Sequence, residues 1–112
     1  MRKMRNRLTV LALAAALPLG LHAAGNPESG KAKAAQVCAA CHGPDGNKPS
    51  AADQPILAGQ HYDYLVRALT DYKIGRRTNP IMKGFAGQLS KQDIEDLAAW
   101  FSSQKSSLHD QR

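Results

Sequence analysis

From Tyr62 onward apolar residues return every three or four positions, at Tyr62, Leu65, Leu69 and Tyr72. That is the stripe of an amphipathic helix, and it predicts one over residues 61–74 with Gly75 placed to end it. A second stripe, Ile94, Leu97, Ala98, Trp100 and Phe101, follows Ser90 and Asp93, a capping-box-like pair with Asp in place of Glu or Gln. It predicts a helix opening at Ser90 and running to about residue 104. An Ala- and Lys-rich segment predicts a further helix over residues 28–39, with Pro27 and Glu28 at its start, where a missing N–H is tolerated and a negative charge is favoured. No apolar–polar alternation of strand length occurs, so neither a sandwich nor a barrel is indicated, and the pattern reads as all-α.

Between these helices lie two stretches rich in Gly, Pro and Asn, residues 42–60 and 76–89, both read as irregular. Loops of that length in so short a chain cannot satisfy their own backbone without partners, and a large apolar ligand wrapped by them would supply the reason. The N-terminus has a different character. MRKMRNR is followed by an apolar run from Leu8 to Leu17, then Pro18, Gly20 and the small residues Ala23, Ala24 and Gly25, the three-part layout of a secretory signal peptide. Pro18 and Gly20 interrupt the run, and a membrane span needs about 20 apolar residues. Residues 1–24 are therefore expected to be removed, with cleavage between Ala23 and Gly25, leaving one domain over residues 25–112 whose polar tail, 103–112, is expected to be loose.

Charge and composition narrow the partners. The chain of 112 residues carries Lys+Arg 15 against Asp+Glu 9, but four of the basic residues sit in the leader, so the rest nets only +2. Its Lys and Arg are scattered singly among acids rather than gathered in a stripe, which argues against nucleic acid. A domain this small, with few large apolar residues, needs help beyond its own core. The two cysteines, Cys38 and Cys41, close too short a loop to staple it, so a cofactor is indicated.

The chemistry begins at Cys38-Ala39-Ala40-Cys41-His42. Two thiols three residues apart can each add to a vinyl group of haem, and the adjacent imidazole then meets the iron. A dithiol redox site normally opens a helix after a strand, and here a helix precedes the motif and no strand follows. Zinc would need a fourth ligand beyond these three.

The chain resembles the class I c-type cytochromes of the small bacterial kind, and is similar to one half of the dihaem periplasmic cytochromes c. The resemblance runs through Gly30 eight residues before the motif, Cys38 to Gly43, Pro55-Ile56-Leu57-Ala58-Gly59-Gln60, Tyr64-Leu65 with Leu69, Tyr72 to Arg76, Pro80-Ile81-Met82, and Leu89-Ser90 leading into Ile94, Leu97 and Trp100. It implies the cytochrome c fold, three main helices with long loops around one covalently attached haem c. It also implies an iron held by His42 on one face and by Met82, carried on a loop, on the other. His61 is the rival ligand, read as an exposed residue at a helix start; His22 leaves with the leader and His109 lies in the tail. The Pro55 carbonyl is expected to accept a hydrogen bond from His42, and Leu57, Leu65 and Ile81 to line the haem pocket. Gly30 should mark the crossing of first and last helices beneath Leu97 and Trp100. Ala34 departs from the pattern, since many members place an aromatic group in that crossing.

With both axial positions filled and no nucleophile beside a base, the expected function is one-electron transfer in the periplasm rather than catalysis, with no small-molecule substrate. The expected partners are other redox proteins meeting an exposed haem edge, with Lys48, Lys73, Arg76, Arg77 and Lys83 orienting acidic surfaces. Any link to a membrane runs through membrane-bound oxidoreductases. Alternative readings are a haem subunit of one specific oxidoreductase, or a ligand-binding or peroxidatic haem protein in which Met82 is labile.

Overall fold

A computed structural model describes residues 25–108, together with residues 12 and 14; the expected leader and the end of the tail lie outside the described residues. Five helices occur among the described residues, α1 (Pro27–Val37), α2 (Ala39–His42), α3 (Tyr62–Ile74), α4 (Pro80–Gly87) and α5 (Lys91–Ser102), with no strand among them.

Helix α1 starts at a cap absent from the sequence reading: the Asn26 side chain accepts from the N–H groups of Glu28 and Ser29, ahead of Pro27 in the first turn. It stops at Val37, two residues before the expected end: Cys38 stays in the αR region but its φ stretches to −116°, and the chain resumes as the single turn α2. Helix α3 follows the expected span, with His61 as its N-cap and Gly75 in the left-handed conformation at its end. In α5, Ser90 Oγ accepts from Asp93 N–H and Asp93 Oδ2 accepts from Ser90 N–H, each at 2.9 Å, so the capping box is complete with Asp; the helix ends at Ser102.

The second stretch expected to be irregular contains α4. Asn79 Oδ1 accepts from Ile81 and Met82 N–H at 3.1 Å each, and Pro80 occupies a first-turn position where no N–H is needed. The Gly and Pro content that suggested a loop thus belongs to a capped helix. Met82 stands on that helix and not on a loop.

The core joins Ala34 of α1, Leu65 of α3, Leu89, and Ile94, Leu97, Ala98 and Phe101 of α5. At the α1–α5 crossing a Cβ on Gly30 would overlap the Asp96 carbonyl and lie 2.9 Å from Trp100 Cβ. The atoms nearest Gly30 therefore belong to Asp96 and Trp100, while Leu97, fully buried, fills the core with Ala34. Ala34, itself at 0% exposure, occupies its small site completely.

The loop from Gly43 to Gln60 is tied internally and to α5. Gly46, at φ +80°, receives Leu57 N–H on its carbonyl at 2.8 Å, and a Cβ there would come within 2.8 Å of the Phe101 ring. Gly59 N–H donates to Phe101 O at 2.9 Å. The first part of the tail, expected to be loose, is held: Asn47 Nδ2 donates to Lys105 O at 2.9 Å, and Ser107 N–H donates to Asn47 Oδ1 at 2.7 Å. No helix among the described residues is long and apolar enough to cross a membrane.

Candidate functional site

The break at Cys38 sets the site. Because α1 ends there and α2 restarts at once, the N–H groups of Cys41 and His42 both fold back on the Cys38 carbonyl, at 3.2 and 3.0 Å, and the three chemical side chains share one tight turn. Cys38 and Cys41 are unpaired and half-buried. Burial, and to a lesser degree the neighbouring Cys41, push the Cys38 thiol up to about 11. A thiol–disulfide redox pair needs the opposite, a thiol lowered toward neutral pH, so the local electrostatics do not favour that chemistry. Among the described residues no three His, Cys, Asp or Glu side chains converge as a metal cluster, which leaves a zinc site without its ligand set.

His42 is buried at 6% exposure, and its Nδ1–H donates to the Pro55 carbonyl at 3.0 Å. A carbonyl can only accept, so the proton is on Nδ1 and the Nε2 lone pair is left for another partner. A cavity of about 270 Å³ opens beside this turn, and its lining brings together Cys38, Cys41, His42, Leu57, Leu65 and Met82. Pro55 and Ile81 also line it, whereas His61, the rival ligand, is exposed and does not. Met82 is half-buried on α4. Tyr64, Ile81 and Phe85, large side chains with 43–64% of their surface exposed, face the same cavity.

The five basic residues expected on the rim separate into different roles. Arg77 lines the cavity, half-buried, with its guanidinium 5.6 Å from the Tyr64 ring centre and 5.3 Å from that of Tyr72, and Nη2–H donates to Tyr64 Oη at 3.1 Å. The hydrogen bonds with Tyr64 and Tyr72 hold its pKa above the ordinary arginine value. It is a fixed cation in a mostly apolar wall, suited to a carboxylate of a bound group. Its paired tyrosines, at positions 64 and 72, lie two turns apart on α3 and were the one signal in the sequence that could have marked it. Lys73 is bonded within the chain, Nζ donating to the carbonyls of Gly87 and Leu89. Arg76 lies 4.0 Å from Asp71, while Lys48 and Lys83 are exposed. Trp100 half-covers the loop beyond the motif, its Nε1–H donating to Pro44 O at 3.2 Å, with Lys31 Nζ 5.5 Å above its ring.

The family model for cytochrome c oxidase, cbb3-type, subunit III matches residues 25–101. The chain belongs to this family of c-type cytochromes. Cytochrome c4 of Pseudomonas aeruginosa is 50% identical over 107 residues, covering 92% of this chain and 51% of its own length. Cytochrome c-554(548) of Halomonas halodenitrificans is 39% identical over 85 residues, which are 73% of this chain and all of that protein. Among solved structures, reduced recombinant cytochrome c4 from Pseudomonas stutzeri superposes with a TM-score of 0.69 at 47% identity, covering 76% of this chain and 48% of the other. The chain thus has the cytochrome c fold and spans about half the length of the cytochromes c4 it matches.

The residues fit the group that this c-type cytochrome carries, one covalently bound haem c. Two thiols on one turn are available for thioether bonds, an imidazole with its proton already committed has a free lone pair, and the walls are largely apolar around a single buried-edge cation.

Proposed function

We propose that this c-type cytochrome is a one-electron carrier, exported to the periplasm, whose iron is held by His42 Nε2 and the Met82 thioether. When bound, haem c supplies one iron that alternates between ferric and ferrous states. The residues do the rest. Cys38 and Cys41 fasten the group; Pro55 O holds the His42 proton on Nδ1 and strengthens the Nε2 donor; Leu57, Leu65 and Leu69 keep water from the cavity; Arg77 offers a cation to a carboxylate.

One observation carries this reading: Cys38, Cys41, His42 with its Nδ1 proton committed to Pro55 O, and Met82 all line one cavity. Ligation by a thioether and an imidazole would raise the potential relative to two imidazoles, and with His42 and Met82 both engaged the iron would offer no place for a substrate. The proposed partners are redox proteins that meet an exposed edge of the bound haem, beside which Tyr64, Ile81 and Phe85 line the cavity.

The test is the far-red spectrum of the purified ferric protein. A weak sulfur-to-iron charge-transfer band is expected, and Met82→Ala should abolish it while haem stays attached. A band that survives this change removes Met82 from the iron.

A further inference from the structure

We infer that Lys73 is the positioning residue that holds Met82 at the haem, by clamping the end of α4 to the last turn of α3. The inference rests on the proposed Met82 ligation and concerns what keeps that ligand in place.

Helix α4 packs on α3 and forms one wall of the cavity. Of its eight residues only Ala86 is buried, while Ile81, Met82 and Phe85 line the cavity. At its start Asn79 satisfies two N–H groups, and just past its end Leu89 enters the core. At its C-terminal end the last carbonyls have no further helical donors, a general property of helix ends. Lys73, in the last turn of α3, answers this: Nζ donates to Gly87 O at 3.2 Å and also to Leu89 O. The ammonium therefore binds the carbonyls on either side of Gln88 and sits where the helix dipole is negative. These bonds join residues 14 and 16 positions apart, so they fix the placement of α4 against α3 and not merely its helicity. Met82 lies one and a half turns upstream on the same short rigid element, so a shift of the clamped end moves the thioether. Lys83, the neighbouring exposed lysine, donates no such bond and serves as the control.

The experiment uses the ferric holoprotein and imidazole as the displacing ligand, following loss of the far-red band. At saturating imidazole the rate reports how often Met82 leaves the iron. Lys73→Met keeps the aliphatic stem and removes the donors, and should raise this limiting rate threefold or more; K73Q takes its place where K73M does not accumulate folded. K73R, which restores a cationic donor, should stay below that threshold, as should K83M. A rise of less than threefold in K73M, or an equal rise in K83M, overturns the clamp. A Met82→Ala protein that keeps the far-red band instead overturns the ligation reading on which the clamp depends, so the two failures are told apart.

Discussion

Gly30 is occupied by nothing but hydrogen because α5 passes over it, with the Asp96 carbonyl and Trp100 Cβ filling the space a methyl would need. Since the obstruction at Asp96 is backbone, relief requires the helices to separate. Gly30→Ala is accordingly expected to cost about 1–3 kcal/mol by overpacking, read as a lower guanidinium midpoint, with the far-red band of the folded protein unchanged. An unaltered midpoint would mean that the crossing yields at no cost. At this scale the sequence spoke clearly where the chemistry itself fixes the spacing. Cys38, Cys41 and His42 are legible because thioether formation and iron ligation demand that order, whereas Pro55 was marked only by the resemblance to the c-type cytochromes, since an imidazole's need for an acceptor does not say which carbonyl meets it. Arg77 and Lys73 were not, since a lysine and an arginine in a basic stretch look alike in sequence. Only the fold shows that one is lodged between two tyrosines and the other is spent on main-chain carbonyls.

Among the helices, α5 is fixed at its start by the reciprocal bonds of Ser90 and Asp93, with Lys33 Nζ of α1 3.6 Å from Asp93 Oδ1. The hydrogen bond from Ser90 N–H, more than any other influence, lowers the Asp93 pKa below its ordinary 3.8. A depressed carboxyl stabilises the fold at pH above the ordinary value and loses that contribution as the pH falls through the folded one. The stability gap between the native protein and Asp93→Asn should therefore be full at neutral pH and shrink below about pH 4, as followed by thermal unfolding across pH. A gap that stays constant on acidification would show that the charge on Asp93 contributes nothing. The periodic helices α3 and α5 were legible from their apolar stripes. Helix α4 was not, because Pro80, Gly84 and Gly87 read as loop residues when their local cap at Asn79 is not weighed. Cys38 hid a break in the opposite way, falling inside an Ala-rich run that favours unbroken helix.

For the molecule as a whole, the long loop and the first residues of the tail form one laced surface. Asn47 bonds to Asp45, to Lys105 O and to Ser107 N–H, and Gly59 reaches Phe101 O, so the segment that carries Pro55 is fastened at several points to the end of α5. Asn47→Ala should cost about 1 kcal/mol and make the chain near Ser107 more open to protease, measured by cleavage rate under native conditions. Equal cleavage of variant and native protein would count against the lacing. The looseness expected for residues 103–112 came from their polar composition, which says nothing of the main-chain groups at Lys105 and Ser107 that Asn47 satisfies.

The crossing beneath Gly30 joins residues 30 and 96, positions far apart along the chain. A polypeptide that emerges from the ribosome N-terminus first presents Cys38 and Cys41 well before the segment that becomes α5 exists. Until that segment arrives α1 has nothing to cross, and Ala34 lacks the α5 side chains that bury it. Closure of the first helix under the last is in this way a condition on length: the crossing cannot form until the chain runs through Asp96 and Trp100.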